Sequence, residues 1–484
     1  MKKKALKEIV LFLIMFCFFK GHSQPVLCPD SLIGQWTRQQ HFQNAGIGIY
    51  MEEASTGDRV GSFNPELSLV PASMLKLVTT ATALEIMGPD YRFSTKLAFN
   101  GIIRNDSLLG DLIIVGGGDP ALGSRYFKEH YLTNHFLKAW TDSLNVYHIR
   151  HISGNIITDA TIYDDQAIPD TWIWEDLGNY FGAGVSGLSV YDNTCDIHLW
   201  SSSSAEQPTR ITSINPAVPG LTFDNRVLSS DDQRDLAYIY GSPLDLHRVI
   251  RGSVPKGKQD FVIRGSIPNP ARLLAGQLKS RMENEGITIG GRIKEATQKT
   301  TTEVTLATTY SPILADLIRI TNHESVNLFA EHLLKHLAYL KTGVGSVKGG
   351  ISVIMEFWKN KGLDTRGFFM CDGSGLSRSN ALTARQMVGI LAYMKNKSRY
   401  NELFFNSLPA VPDGTLYQFD ARNFPDKSLR AKSGSMTRAR CYAGWLRTAS
   451  GREILFDISL NNFSCSQNTA IQAVEKLLTS LYGL

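Results

Sequence analysis

Pro71-Ala72-Ser73-Met74-Leu75-Lys76 is the stretch on which the reading of this 484-residue chain turns. A proline followed by an apolar run that stops at Gly88-Pro89 predicts a helix over 73–87. A three-residue spacing puts Ser73 and Lys76 on one helical face, within contact distance. The hydroxyl then sits at the positive end of the helix, which favours developing negative charge. A serine is a weak nucleophile until a base takes its proton. A lysine can be that base when burial and a neighbouring cation lower its pKa. Standing alone, the pair reads more simply as a helix-capping serine followed by a solvent lysine.

Two further stretches give the pair company. Ser325-Val326-Asn327 falls in a bend between two expected helices, 311–320 and 327–340. Its hydroxyl can pass a proton to a leaving amine, and its amide offers a donor and an acceptor to a substrate amide. Both residues would also serve as ordinary helix caps. Lys432-Ser433-Gly434 falls on an expected strand, 429–436. Lys432 on an edge strand can hold a substrate carboxylate and is a candidate cation neighbour for Lys76. Gly434 lets a substrate backbone approach, and an extended peptide can add to such an edge. The backbone N–H groups of Ser73 and Ser435 are candidates for an oxyanion hole. The plain alternative for Lys432 is a charge that keeps an edge strand from aggregating.

Around these stretches the elements are mixed. Residues 46–63 read as a hairpin turning at Ser55-Thr56-Gly57-Asp58. Strand-like pieces follow at 95–103, 108–115 and 148–157. A Trp-, Gly-, Ser- and Asn-rich region covers about 166–260, and helices are expected at 270–285, 347–361 and 383–395. Strands at 441–448 and 453–460 and an amphipathic helix at about 469–482 close the chain. Hairpins at both ends with a helical cluster between them predict an α+β fold, an antiparallel sheet covered by helices.

Residues 1–23 read as a signal peptide: Lys2, Lys3, Lys4 and Lys7, an apolar run over 9–19, then small residues before Gln24. The run is too short to span a bilayer comfortably. The expected protein is therefore exported, without a stable membrane span. The formal charge of +5 is concentrated there, since residues 1–23 hold five lysines against Glu8. What remains is near neutral and gives no reason to expect nucleic acid as a partner. Five cysteines follow the signal segment, an odd number with no CxxC pair. His332 and His336 are four apart on a helix but have no evident third ligand, so a surface pair is expected and no metal. His130 and His135 do not share a helical face. The Ser–Lys scheme calls for no histidine and no cofactor, and the chain has no Gly-x-Ser-x-Gly elbow.

The three motifs, in this order, resemble those of the class C low-molecular-mass penicillin-binding proteins, D-alanyl-D-alanine carboxypeptidases and endopeptidases. Gly88-Pro89-Asp90-Tyr91-Arg92-Phe93, Gly117-Gly118-Asp119-Pro120, Asp372-Gly373-Ser374-Gly375-Leu376-Ser377-Arg378 and Asp413-Gly414-Thr415-Leu416 are similar to further signatures of that family. The 252 residues from Ser73 to Ser325 fit its large insert and exceed what a β-lactamase carries. The resemblance implies a catalytic domain of 24–95 and 306–484. It implies an insert of 96–305 in two smaller β-rich domains, the inner one about 196–255. It also implies a periplasmic enzyme acting on peptidoglycan stem peptides and acylated by β-lactams. Ser73 would be the acylated residue, Lys76 its base and Ser325 a proton relay. Asn327 would bind the peptide, and Lys432 and Ser433 the terminal carboxylate. Asp176, with Phe181, Arg378 and Met436 nearby, would face the far amino group of a diamino acid. The Lys-Ser-Gly in place of the usual Lys-Thr-Gly, and the basic run Thr437-Arg438-Ala439-Arg440-Cys441, depart from the pattern. A β-lactamase and a non-catalytic binder of cell-wall peptides are the alternatives.

Overall fold

The computed structural model describes residues 28–131, 135–243 and 245–484; the expected signal segment, 1–23, lies outside them. The hairpin read near the start forms, with Gly46–Glu53 pairing antiparallel to Arg59–Phe63. It joins a five-stranded sheet in the order Leu429–Met436, Ala439–Arg447, Glu453–Asn461, Gly46–Glu53, Arg59–Phe63. Every neighbouring pair in this sheet is antiparallel.

Alternation along these strands separates two cores. Ile454, Phe456, Ile458 and Leu460 pack with the terminal helix Gln467–Tyr482 and with Pro29–Thr37. Leu455, Cys441 and Ala443 face the other way, into the main helical cluster. That cluster holds Leu75–Met87, Leu314–His323, Asn327–Thr342, Val347–Asn360 and Ala384–Asn396. The sheet with its two helical layers is the α+β arrangement expected.

Residues 94–310 leave and return through adjacent strands. Ser94–Phe99 pairs antiparallel with Val304–Tyr310, Ser94 opposite Tyr310 and Phe99 opposite Val304. Parallel pairs follow, Leu112–Val115 with Ile156–Asp159 and the latter with Ile293–Glu295. Two three-stranded sheets lie between Thr194 and Ser266 around a small core of their own, including Ile197, Leu199, Ile250 and Ile263. The helix His135–Val146 was not among the expected elements, although Phe136, Leu137, Trp140 and Leu144 mark its buried face. The expected strand 148–157 is two short ones, His151–Ile152 and Ile156–Asp159.

The reading of the histidine pair is overturned. His332 and His336 are not a surface pair; both are buried. The His332 ring contacts the Gly118 carbonyl and the Ser189 hydroxyl, each at 2.9 Å, and His336 Nε2 lies 2.6 Å from the Tyr91 hydroxyl. The helix that carries them is buried on nearly every face from Leu328 to Ala338, so four-residue spacing there means core and not surface. Burial holds both imidazoles down to about 3. The unfolded chain, with histidines near ~6.5, takes up protons that the fold refuses. Stability is thus complete above pH ~6.5 and is lost as pH falls from there toward ~3. Melts across that window should lose several kcal/mol of stability, and a His332→Gln/His336→Gln double variant should flatten the decline. An unchanged slope in the variant would refute the assignment.

Candidate active site

Ser73 lies in the single 3-10 turn Ala72–Met74, which feeds directly into the helix Leu75–Met87. That helix is buried continuously from Leu75 to Leu84. Its polar members are satisfied inside. The Thr80 hydroxyl donates to the Lys76 carbonyl at 2.7 Å, and the Thr79 hydroxyl to the Gly373 carbonyl at 2.7 Å. Lys76 is fully buried. Its Nζ donates to Ser73 Oγ at 3.0 Å, to Asn327 Oδ1 at 2.6 Å and to the Ser374 carbonyl at 2.7 Å. Three donors meet three acceptors, which fixes the amine against the Ser73 hydroxyl.

Burial pushes the Lys76 ammonium down to about 7, against the opposing pull of Asp372 and Glu331. The cation expected to depress Lys76 was Lys432, but desolvation does it. Lys432 itself is held well below the ordinary lysine range by burial and then by Lys76 and Arg440. An amine near 7 is partly neutral at physiological pH, and its contact with Ser73 can then run the other way, with the hydroxyl donating.

The loop of residues 372–375 locks this arrangement. Glu331 accepts the backbone N–H groups of Gly373 and Ser374, the latter at 2.7 Å. Asp372 accepts from the backbone of Gly375 and Ser377, from Asn380 Nδ2 and, at 2.8 Å, from Trp172 Nε1. Burial, then the Asp372 charge, raises Glu331. Gly375 has φ +83, and a Cβ there would lie 1.9 Å from the Ala72 carbonyl oxygen. Ala72, which has no glycine's freedom, sits at φ 45 immediately before Ser73.

Ser325 follows the helix Leu314–His323 in the left-handed region, φ 61, and lines the same cleft as Ser73 and Asn327. Asn327 does not offer both ends of its amide to a ligand. Oδ1 accepts a hydrogen bond from Lys76 Nζ, and Nδ2 donates to the Phe181 carbonyl at 2.8 Å. It ties the lysine to the segment that carries Phe181.

Leu429–Met436 is an edge strand, as expected. A Cβ on Gly434 would meet the Pro71 carbonyl oxygen at 2.4 Å, so the strand packs directly on the turn that carries Ser73. Lys432 is fully buried on this strand and donates to the Ser433 carbonyl at 2.6 Å. It does not line the cleft; Ser433 and Ser435 do.

The cleft has a volume of about 470 Å³ and brings Asp176, Phe181, Arg378 and Met436 together with Ser73. Burial raises the Asp176 carboxyl to about 6, with Arg378 opposing. Glu331, Trp172 and Arg440 were not singled out as site residues from sequence. Glu331 lies four positions after Asn327 on one helix, a legible signal, and Arg440 stood in the basic run. Trp172 has no local signal, since its partner is 200 residues away.

The model of the D-Ala-D-Ala carboxypeptidase 3 (S13) family matches residues 32–481. The chain is 25% identical over 454 residues to a D-alanyl-D-alanine carboxypeptidase of Actinomadura sp. strain R39, covering 89% of this chain and 80% of that one. It is 24% identical over 431 residues to the D-alanyl-D-alanine carboxypeptidase DacB of Haemophilus influenzae, covering 87% and 86%. The crystal structure of penicillin-binding protein 4 (dacB) from Haemophilus influenzae superposes with a TM-score of 0.80 at 21% identity, covering 93% of this chain and 99% of that one.

Proposed function

The chain belongs to the D-Ala-D-Ala carboxypeptidase 3 (S13) family, and from that premise we propose how its residues carry out the reaction. It is a serine DD-peptidase of peptidoglycan, a class C low-molecular-mass penicillin-binding protein. In the proposed reaction Ser73 Oγ attacks the carbonyl carbon of the penultimate D-alanine while Lys76 Nζ takes its proton. The tetrahedral oxyanion is met by the N–H groups of Ser73 and Ser435. The proton passes by way of Ser325 to the departing amine, the C–N bond breaks and D-alanine leaves. Water then cleaves the Ser73 ester, returning a proton to Oγ.

The observation that carries this reading is the 3.0 Å contact of a fully buried lysine, held near 7, with the hydroxyl of Ser73. Asn327 positions Lys76 and the substrate side of the cleft. Ser433 contributes a hydroxyl toward the terminal carboxylate. Asp176, Phe181, Arg378 and Met436 form the far wall, where the half-buried Asp176 carboxyl suits the amino group of a diamino acid. That wall supports cleavage of D-alanyl-diamino acid cross-links beside release of terminal D-alanine. The basic and apolar stretch at 1–23 supports export to the periplasm. Acylation by β-lactams follows from the same nucleophile. A crystal form of the Haemophilus influenzae penicillin-binding protein 4 holds a β-lactam, with a TM-score of 0.75 to this chain.

Incubation with purified muropeptides, followed by mass analysis, should show loss of terminal D-alanine from pentapeptide stems and conversion of cross-linked dimers to monomers. Intact muropeptides alongside rapid penicillin turnover would mean a β-lactamase instead. Intact muropeptides with stable penicillin binding would mean a non-catalytic binder.

A further inference from the structure

We propose that Arg440, and not Lys432, supplies the positive charge that holds the carboxylate at the end of the substrate. The proposal rests on the peptidase reading above and deepens it. Lys432 is fully buried, spends a donor on the Ser433 carbonyl and does not line the cleft. Its one side-chain hydrogen bond among the described residues stays on its own strand. Arg440 does line the cleft, together with Ser433, Ser435 and Thr415. It stands directly opposite Ser435 in the antiparallel register, so the two side chains leave the sheet on one face.

The guanidinium is built into place. Arg440 is only 7% exposed. Its Nε and Nη2 both donate to the Tyr442 hydroxyl, at 2.8 and 2.6 Å, and the Tyr442 ring is itself fully buried. That pair of bonds fixes the plane of the fork and leaves Nη1 and the second N–H of Nη2 to form an end-on pair of donors. Among the described residues no acidic side chain forms an ion pair with Arg440. Arg125 and Arg264, which line the same cleft, are both paired with Asp196, and Arg378 acts on Asp176 at the far wall. A guanidinium nine-tenths buried without a counter-ion is costly unless a ligand provides one. A planar fork with fixed orientation matches a carboxylate. The hydroxyls of Ser433 and Ser435 flank it, the former held only by a 3.4 Å bond to the Thr415 carbonyl. The charge departure noted in the basic run after Gly434 thus has a place in the site.

The test uses two acyl donors reactive enough to be cleaved with or without the contact. One is an N-acyl-D-alanyl thioester whose leaving group carries a free carboxylate, the other the same thioester with that carboxylate methylated. The wild type should prefer the free acid. Arg440→Gln should lower kcat/KM for the acid roughly 10- to 100-fold, mostly in KM, and change the methylated donor by less than about threefold. Arg440→Lys, which keeps the charge but loses the fork, should give an intermediate preference, and it carries the test if the glutamine variant does not fold. Lys432→Gln should slow both donors alike. Equal losses on both donors in the Arg440 variants would overturn the proposal, as would a Lys432→Gln protein that alone loses the preference for the acid. A wild type that cleaves neither the thioesters nor a D-alanyl-D-alanine peptide would overturn the peptidase reading and this one with it.

Discussion

Ser73→Ala should abolish covalent labelling by a fluorescent penicillin and lower D-alanine release by about 10⁴- to 10⁶-fold, leaving the melting transition nearly unchanged. The side chain ends in the cleft and contributes one acceptor to Lys76, so its loss removes the acylated atom without opening the core. Labelling that persisted at another residue would overturn the assignment of the nucleophile. Lys76→Met tests the second half of the same pair. It keeps an unbranched chain in a fully buried position while removing the base, and should cost about 10²- to 10⁴-fold in acylation. The pH profile separates base from strut. With Lys76 near 7, the neutral fraction grows as pH rises, so the acylation rate constant should climb through about 7 and level off above it. In Lys76→Met that limb should be gone.

Gly375→Ala should be nearly as damaging, although residue 375 touches no substrate. Its φ of +83 disfavours any side chain, and the new Cβ would lie 1.9 Å from the Ala72 carbonyl oxygen. Something must move, and what lies on the other side is the residue before Ser73, already at φ 45. A displaced turn misplaces Oγ relative to Lys76, and shifts of about 1 Å cost on the order of 10²-fold. A combined stability loss of about 2–4 kcal/mol and an acylation loss of at least ~10²-fold are expected. Denaturant melts and penicillin labelling rates on the same preparations check both. Gly286→Ala is the control. It has φ +80 with nothing within 4 Å of a Cβ, and should cost about 1 kcal/mol with full activity. A Gly375→Ala protein that behaved like the control would show that the 372–375 loop does not set the nucleophile turn.

What was legible in the sequence was local. The terminal hairpin, the helix after Ser73, the bend at Ser325 and the strand carrying Lys432 depend on turn residues and periodicity within a dozen positions. The order of the motifs carried the rest of the reading. Side-chain surroundings set by distant chain were not legible. Nothing near Asn327 announces that its amide is taken up by Lys76 and by the Phe181 carbonyl, which lies 146 residues back. Nothing near Lys432 says that the strand lies so close to Pro71 that its side chain is sealed in. The histidine pair went wrong for a related reason: a helix interleaved with charges reads as half-exposed, yet Glu331, His332, Lys335 and His336 are all buried, His332 against Gly118 and Ser189. The helix His135–Val146 is different, since its apolar stripe was available in the sequence and went unread.

The strand order of the central sheet has a consequence in time. Gly46–Glu53 lies between Glu453–Asn461 and Arg59–Phe63, so strands made first wait for strands made last. A chain halted anywhere before Leu429 lacks three of the five strands, including the one that presses Gly434 against the nucleophile turn. Ser73 is therefore synthesised early but assembled late. Pairing across some 400 positions is slow to form, and until it does the growing polypeptide carries a serine and a lysine that do nothing. The site is therefore complete only once the strands Leu429–Met436, Ala439–Arg447 and Glu453–Asn461 have paired with the early hairpin.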